Sequence, residues 1–225
     1  MKTGLPIMIL FAALFLTTAA PGYASDAAGA QEIVNKAGVT FKDFMVDDNY
    51  SWLREHLKDA KGLLIFPLVL KAGFFLGGSG GNGVLVVKDL KNDDWSQPAF
   101  YTIGTVSFGL QVGVEAAEVV VMVMTQKALD SLFTSSFKLG GDISAAAGPS
   151  GAGLKADVTA DFISFARSVG IFIGLDLEGS VISVRESLNK AYYGKDVSPV
   201  DIVMKNEVSN HRSIELRTAL KNAAR

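Results

Sequence analysis

Residues 60–89 read AKGLLIFPLVLKAGFFLGGSGGNGVLVVKD, a glycine-rich segment between two apolar runs. Of the seven residues at positions 77–83, five are glycine and the other two are Ser79 and Asn82. The segment contains two known patterns, the dinucleotide-binding G-x-G-x-x-G at 78–83 and the nucleophile-bearing G-x-S-x-G at 77–81. Whether it is a phosphate-binding loop, a catalytic turn or part of a sheet decides how the rest of the chain is interpreted.

Both patterns require a helix directly after the glycines. The helix N-terminus either binds the phosphate or holds the sharp turn that carries the serine. The residues that follow are Val84–Val87, a β-branched apolar run typical of a strand. No Lys-Ser/Thr pair follows the glycines, which argues against a P-loop as well. Asn82-Gly83 is a favoured dipeptide for a type I′ turn, so we expect Gly77–Gly83 to be a glycine-rich hairpin. The two catalytic interpretations remain its alternatives.

The N-terminus has the pattern of a secretory signal peptide. Lys2 precedes the apolar run 7–16, which is too short to span a bilayer comfortably, and Ala24 ends a small-x-small cleavage pattern. An uncleaved anchor is the alternative. We therefore predict a periplasmic or secreted protein cleaved near Ala24, with peripheral membrane association open. The predicted divisions are a signal peptide at 1–24, a short flexible leader at 25–30 and one domain at 31–225.

Composition limits the classes of partner. The chain has no cysteine, so an exported form folds without disulfides and depends on its core. Without Lys2 it has 20 basic and 23 acidic residues, a net charge of −3. That balance offers no general attraction to nucleic acid or to an anionic membrane, so we predict no nucleic-acid partner. Any electrostatic site must be a local patch.

Hydrophobic periodicity predicts an α+β fold. An apolar stripe at helical spacing runs along 31–47, and after Gly62 the pattern changes to short apolar runs separated by Gly, Pro or charge. We interpret these runs as mainly antiparallel strands, because their connections are too short for crossover helices. The 23 glycines favour a single domain whose strongly twisted, Gly-rich sheet could be barrel-like, packed with N- and C-terminal helices. The predicted strands are 63–66, 73–77, 84–87, 100–104, 108–114, 119–124, 137–143, 153–158, 162–169, 171–177 and 181–184.

Side chains able to carry catalysis or bind a metal are sparse. His56 and His211 are the only histidines, and neither has a second histidine or paired carboxylates at ligand spacing. Asp176 and Glu178 would face one side of a strand, where a solvent-facing pair is the alternative to a cation or acid–base site. No serine lies on a recognisable strand–turn–helix. We therefore predict no catalytic residue, no metal and no cofactor.

Two features could contact a membrane. The polar face of helix 31–47 mixes acidic and basic residues, whereas interfacial helices are usually rich in Lys and Arg, so packing on its own domain is the favoured alternative. A basic cluster of Arg54, Lys58, Lys61 and Lys71 brackets an apolar run and could bind a lipid phosphate. Because two acidic residues lie among these cations, the cluster could equally be an ordinary solvated face.

Five distinctive stretches follow one another along the chain. They are AKGLLIFPLVLKAGFFLGGSGGNGVLVVKD at 60–89, WSQPAFYTIGTVSFGLQVG at 95–113, ALDSLFTSSFKLGGDISAAAGPSGAG at 128–153, FARSVGIFIGLDLEGSVI at 165–182 and NKAYYGKDVSP at 189–199. With these stretches in this order, the sequence closely resembles the SYLF domain family, also called the Ysc84 actin-binding or DUF500 family, in an exported bacterial form. The resemblance covers roughly residues 31–204.

The resemblance implies a lipid-binding domain without known catalytic activity. Eukaryotic relatives bind phosphoinositides through an amphipathic N-terminal helix and basic residues, and some bundle actin. The family often carries Arg within its glycine segment, as GGRGG; this chain has Ser79 there, which removes a cation from that position. The lipid-binding residues implied here are Ile33, Phe41, Phe44 and Met45 on the helix, with Lys58, Lys61 and Lys71 as the cations.

In an exported bacterial protein, phosphatidylglycerol or cardiolipin would replace phosphoinositides, and actin bundling would not apply. We therefore expect a non-catalytic peripheral module that binds anionic phospholipids at a membrane surface of the bacterial envelope. The alternative is a soluble periplasmic structural or protein-interaction module with no direct lipid role, for which the sequence names no protein partner.

Overall fold

The structure, a computed structural model, describes residues 21–73, 76–89, 94–108, 113–140, 143–151, 158–168 and 179–224. The predicted strands at 153–158 and 171–177, and the pair Asp176 and Glu178, lie wholly or mostly outside these ranges. The helices are α1 (Pro21–Val46), α2 (Ser51–His56), α3 (Gln126–Ser131), α4 (Glu186–Tyr193), α5 (Pro199–Val203) and α6 (Ile214–Ala223). The strands are β1 (Gly62–Gly73), β2 (Leu76–Asp89), β3 (Asp94–Trp95), β4 (Ala99–Phe108), β5 (Gly113–Val123), β6 (Ser136–Lys138), β7 (Ala145–Ala147), β8 (Phe162–Ser168) and β9 (Val181–Val184).

The strands form one sheet in the order β6-β9-β4-β2-β1-β5-β8-β7, with β3 paired to β2 off this path. Neighbouring strands are antiparallel except for β7 and β8, which are parallel. The sheet curls strongly into a half-barrel, with helices from both ends of the chain packed on it. The prediction of an α+β domain with a twisted, mainly antiparallel sheet is confirmed.

Each face of the sheet carries a buried core, and this explains why the strands have continuous apolar runs instead of alternating ones. On one face, Leu63, Ile65 and Val84 pack against the buried side of α1. We call it the α1 face. On the other, Leu64 and Phe66 pack in the core that also includes buried residues of α3 and α5. We call this the α3 face. Alternate residues of one strand therefore lie in two separate cores.

Helix α1 has its apolar residues three or four positions apart, as a helix packed on a sheet requires. It begins at Pro21, a residue favoured in a first helical turn, and continues through an alanine-rich stretch of high helix propensity. Residues 25–30, expected as a short flexible leader, are helical in this structure, and Ala30 is fully buried. Residues 1–20 lie outside the described part, so the signal peptide stays a prediction.

The turn expected at Asn82-Gly83 is wrong. Both residues lie inside β2, where Asn82 pairs with Thr102 and Gly83 with Tyr101 of β4. Strands β1 and β2 do form an antiparallel pair, but their connection is at 74–75, outside the described residues. The predicted strand 73–77 is accordingly divided between the end of β1 and the start of β2.

Two glycines of β2 are required because β1 approaches β2 closely, and not because the chain turns there. The register of β1 against β2 shifts between Ile65 and Leu70, an irregularity that contains Pro67. A Cβ atom at Gly83 would lie 2.3 Å from the Ile65 carbonyl oxygen. One at Gly81 would lie 2.1 Å from the Leu68 carbonyl oxygen. Glycine is needed at these two positions because no side chain fits there.

Within the part of the chain that the structure describes, no helix combines the length and the hydropathy needed to cross a bilayer.

Candidate functional site

The basic cluster expected from the sequence does not form one site. Lys61 directly precedes β1, whereas Lys71 is near its other end. Ten residues of extended strand separate the two, a span of about 30 Å. Lys71 has Glu115 opposite it on β5, with 4.0 Å between the Lys71 Nζ and a carboxylate oxygen of Glu115. Lys71 is therefore a separate, partly charge-compensated cation.

Arg54 has a structural role. Its guanidinium donates hydrogen bonds to the carbonyl oxygens of Met45 (3.2 Å) and Asp47 (2.6 Å), at the end of α1. The last carbonyl groups of a helix have no partner inside the helix, and a nearby arginine can satisfy them. Arg54 thus closes α1 and holds α2 against it.

The remaining two predicted cations are joined by Lys88, at the end of β2. The Lys88 backbone N–H donates to the Lys61 carbonyl oxygen at 2.8 Å, and Lys88 Nζ donates to the Lys58 carbonyl oxygen at 3.0 Å. Gly62 of β1 pairs with Val87 of β2. Because the two strands are antiparallel, Lys61 and Lys88, the residues beside that pair, lie opposite each other. We refer to Lys58, Lys61 and Lys88 as the strand-end lysine cluster.

This cluster concentrates like charge. Side chains opposite each other on antiparallel strands have Cβ atoms about 4.5–5.5 Å apart, and like charges at that separation repel. Among the described residues, none of the three ammonium groups forms an ion pair with a carboxylate. Lys58 is exposed, and Lys61 and Lys88 are half-buried. The arrangement can therefore supply several N–H donors to one anionic group at the end of the sheet.

The apolar residues of α1 that were expected to enter lipid lie against the sheet. Phe41 and Phe44 are buried in the core on the α1 face, and Ile33 and Met45 are partly buried against the same core. The apolar side chains that α1 exposes are instead Val39 and Val46. The structure shows α1 packed on its own domain.

A polar network fixes α1 to the sheet. Arg167 of β8 donates through Nε to Glu118 of β5 at 2.8 Å and through Nη2 to Asp43 of α1 at 2.6 Å. Thr40 of α1 donates to the other oxygen of Glu118 at 2.7 Å. Partial burial disfavours the charge of Arg167, but its hydrogen bonds to the two carboxylates outweigh that effect and raise the guanidinium pKa. This network holds the middle of α1 over β5 and β8.

Replacing Arg167 by methionine should lower the free energy of unfolding by about 1–3 kcal/mol, since Glu118 and Asp43 would keep their charges without a cationic partner. The value lies below that of a fully buried pair because a third of the Arg167 side chain is exposed. Urea denaturation measures the loss. Lys36→Met is the matched control, because its ion pair with Glu32 is on the open side of α1 and should contribute less than about 0.5 kcal/mol. Equal losses in the two variants would contradict an anchoring role for Arg167.

The positions considered for catalysis have structural surroundings. Ser79 lies in mid-strand between Lys71 and Thr105, and β2 continues to Asp89 with no helix after the glycines. His56 stacks on Trp52 with ring centres 3.9 Å apart. Neither glycine pattern therefore has the strand–turn–helix that its chemistry needs.

Comparison with known proteins identifies the family. The family model Ysc84, described as Las17-binding protein actin regulator, matches residues 104–223, more than half of the chain. LAS seventeen-binding protein 3 of Saccharomyces cerevisiae is 37% identical over 145 residues, which is 61% of this chain and 31% of that protein. SH3 domain-containing YSC84-like protein 1 of Homo sapiens is 32% identical over 149 residues, 64% of this chain and 43% of that protein.

The yeast relative is named as a binding protein, and the family model is described as an actin regulator. The matched region spans about a third to two fifths of the length of the two relatives. No solved structure matches the chain. By the family model and by these relatives, the chain belongs to the Ysc84 family, whose characteristic region is the SYLF domain.

Proposed function

We propose that this chain is a non-catalytic module that attaches peripherally to anionic phospholipid surfaces through the strand-end lysine cluster. The observation that supports this is the cross-strand placement of Lys61 and Lys88, with Lys58 beside them and no ion pair among the described residues. Like charges opposite each other on neighbouring strands weaken the fold, and a bound anion would offset their repulsion. A lipid phosphate accepts charge-assisted hydrogen bonds from several ammonium groups at once.

Such binding should be weak and sensitive to salt. A lysine near an anionic membrane contributes about 1 kcal/mol, so three lysines shift binding by roughly two decades at low ionic strength. At physiological salt the Debye length is about 8 Å, and the exposed carboxylates of Glu55 and Asp59 nearby reduce the attraction further. The net charge of −2 gives no help from the protein as a whole.

Other residues implied by the family resemblance take secondary parts in this proposal. Lys71 is about 30 Å along β1 from the cluster, so it would not meet the same phosphate. For Phe41 and Phe44 to contact lipid, α1 would have to leave the sheet and break the contacts of Arg167. Periplasmic or secreted location after cleavage near Ala24 is proposed from the sequence alone, and it makes phosphatidylglycerol the natural test lipid.

Replacing Lys58, Lys61 and Lys88 together by glutamine should reduce co-sedimentation with phosphatidylglycerol vesicles about 100-fold in apparent affinity at low salt. The control variant replaces Lys36, Lys195 and Lys205, which are exposed elsewhere, so it changes the net charge equally. It should bind almost as wild type does. Thermal unfolding of both variants should match wild type within a few degrees. If the cluster variant still binds as wild type does, the cluster is only a solvated face.

A protein-interaction module is the second candidate, and the names of the relatives favour it. The yeast relative is named for binding LAS seventeen, and the family model is described as an actin regulator. If the wild-type protein does not co-sediment with phosphatidylglycerol vesicles even at low salt, this candidate becomes the better one. Neutral phosphatidylcholine vesicles serve as the blank in the same experiment.

A further inference from the structure

Part of the α1 face extends beyond α1. Towards the glycine-rich end of the sheet, one row of paired residues runs across five neighbouring strands. Its members, from β5 to β9, are Ala116, Leu70, Gly80, Gly104 and Val181. Paired residues share a face, and the alternation along each strand places this row on the α1 face.

The row has apolar walls and a floor of backbone. Leu70 is 47% exposed and Val181 is 42% exposed, and Leu68, two residues before Leu70 within the irregularity of β1, is 44% exposed. Between these walls, Gly80 and Gly104 leave two adjacent strands without side chains. The walls are three strand intervals apart, about 14 Å between their Cα atoms. We call this feature the glycine trough.

The chain's own packing does not require these two glycines. A Cβ at Gly80 would meet nothing nearer than the Ile103 carbonyl oxygen at 3.5 Å, and one at Gly104 nothing nearer than the Ser79 carbonyl oxygen at 3.9 Å. These are ordinary contact distances, and neither glycine has a positive φ. Glycine inside a strand weakens it and often marks a place where a ligand approaches the backbone closely.

The chemistry of the trough selects hydrocarbon. β2 and β4 are interior strands, so the ladders on both sides use their N–H and C=O groups and the floor offers none to a peptide or a nucleotide. A polar ligand on this floor would lose its hydrogen bonds with water, and the side chains of the next row on the same face that could replace them are those of Asn82 and Thr102, of which Thr102 already donates to the Gly81 carbonyl oxygen. Two charged residues on this face, Glu118 and Arg167, are paired with each other. A hydrocarbon chain can lie on such a surface without that loss.

A cation stands at one end of the trough. Lys138 of the edge strand β6 pairs with Val181 and therefore lies on the same face, one strand beyond the wall. It is exposed, and among the described residues it forms no ion pair. A molecule with an acyl chain across Gly80 and Gly104 would bring a phosphate to Lys138.

We propose that the glycine trough binds the acyl chain of a membrane phospholipid whose phosphate meets Lys138. The trough lies towards the opposite end of β1 from the strand-end lysine cluster, so this site is independent of the surface attachment proposed above. It takes one lipid molecule, whereas the cluster meets a membrane surface.

The test uses 1-myristoyl lysophosphatidylglycerol below its critical micelle concentration, with binding measured by isothermal titration calorimetry. Gly80→Val/Gly104→Val fills the trough and should lower affinity at least tenfold. Since valine suits a strand and meets open space here, the melting temperature should stay level or rise by about 1–3 °C. Ser79→Val, on the opposite face of the same strand, should leave affinity unchanged. Lys138→Gln should lower affinity about fivefold.

If the filled variant does not fold, Leu68→Ser/Leu70→Ser removes one wall at exposed positions and should still lower affinity severalfold. No binding by the wild type, or equal binding by wild type and filled variant, would overturn the proposal. Myristate binding as tightly as the lysophospholipid would overturn a phospholipid as the ligand. Because the filled variant retains the strand-end lysine cluster, its co-sedimentation with vesicles reports separately on the surface attachment.

Discussion

Gly83→Val should lower the free energy of unfolding by about 3 kcal/mol, at the upper end of what overpacking usually causes. The added Cβ would lie 2.3 Å from the Ile65 carbonyl oxygen and 2.5 Å from Cδ1 of Phe66, distances that real side chains do not adopt. Relief by backbone movement is limited, because Gly83 is paired with Tyr101 on its other side and the residues around it, Ile65, Phe66 and Tyr101, are buried. The urea midpoint of unfolding measures the loss.

Gly80→Val is the matched control for Gly83→Val. It makes the same substitution in the same strand, but on the face where a Cβ meets only a carbonyl oxygen at 3.5 Å. The change in its unfolding free energy should stay within about 0.5 kcal/mol of wild type. Similar losses in both variants would contradict a local collision and would indicate that β2 needs glycine throughout.

The predicted position of the turn was wrong because the contact that decides it joins two strands and is not local in the sequence. Asn82-Gly83 has the composition of a type I′ turn, and nothing within the segment contradicts that interpretation. What overrides it is the irregularity around Pro67, fifteen residues earlier, which brings β1 carbonyl oxygens against β2. Glycine is suited both to a tight turn and to the close approach of a neighbouring strand, so its presence alone does not distinguish the two.

The elements themselves follow more directly from the sequence. Continuous apolar runs predict strands buried on both faces, and the three-and-four spacing from Val34 to Phe44 predicts a helix that packs on them. Both features are properties of short stretches. The sequence therefore predicts the α+β class and the mainly antiparallel pairing, and the structure confirms both.

The candidate site was predicted in part, because its members depend on register. Lys58 and Lys61 are close in sequence, and the structure keeps them close. Lys88 joins them since antiparallel pairing of β1 and β2 brings the two strand ends together, which a register aligned on Gly62 and Val87 would have indicated. Lys71 was grouped with them by sequence distance, although an extended strand carries it about 30 Å away.

The anchoring of α1 had no usable signal in the sequence. Arg167 and Asp43 are 124 positions apart, and Arg167 and Glu118 are 49 apart. Each is an ordinary charged residue in its own segment. Their meeting depends on where β8 pairs with β5 and on where α1 crosses both strands, and neither is encoded in a local pattern.

Replacing Phe44 by alanine should lower the free energy of unfolding by about 3–5 kcal/mol, the usual result of truncating a fully buried ring. Phe44 is 0% exposed, and its ring centre is 4.4 Å from that of Tyr50. The guanidinium carbon of Arg167 lies 5.9 Å from the centre of the Phe44 ring, so the variant also weakens the anchoring of α1. Chemical denaturation measures the loss.

Val46→Ala is the control for Phe44→Ala, because Val46 lies two residues further along α1 and is 79% exposed. Its unfolding free energy should change by less than about 0.5 kcal/mol. A small loss in both variants would mean that the Phe44 ring is not part of the core in solution.

The same pair of variants decides how α1 takes part in membrane attachment. Detaching α1 from the sheet would break core contacts that contribute several kcal/mol, so α1 should be detached in well under 1% of molecules. Phosphatidylglycerol co-sedimentation should then be the same for wild type and Phe44→Ala, measured at a temperature where both are folded. If α1 instead leaves the sheet to insert its apolar face, Phe44→Ala removes the ring that would enter the bilayer. A loss of vesicle binding in Phe44→Ala, with Val46→Ala unchanged, would therefore show insertion and overturn attachment by the strand-end lysine cluster alone.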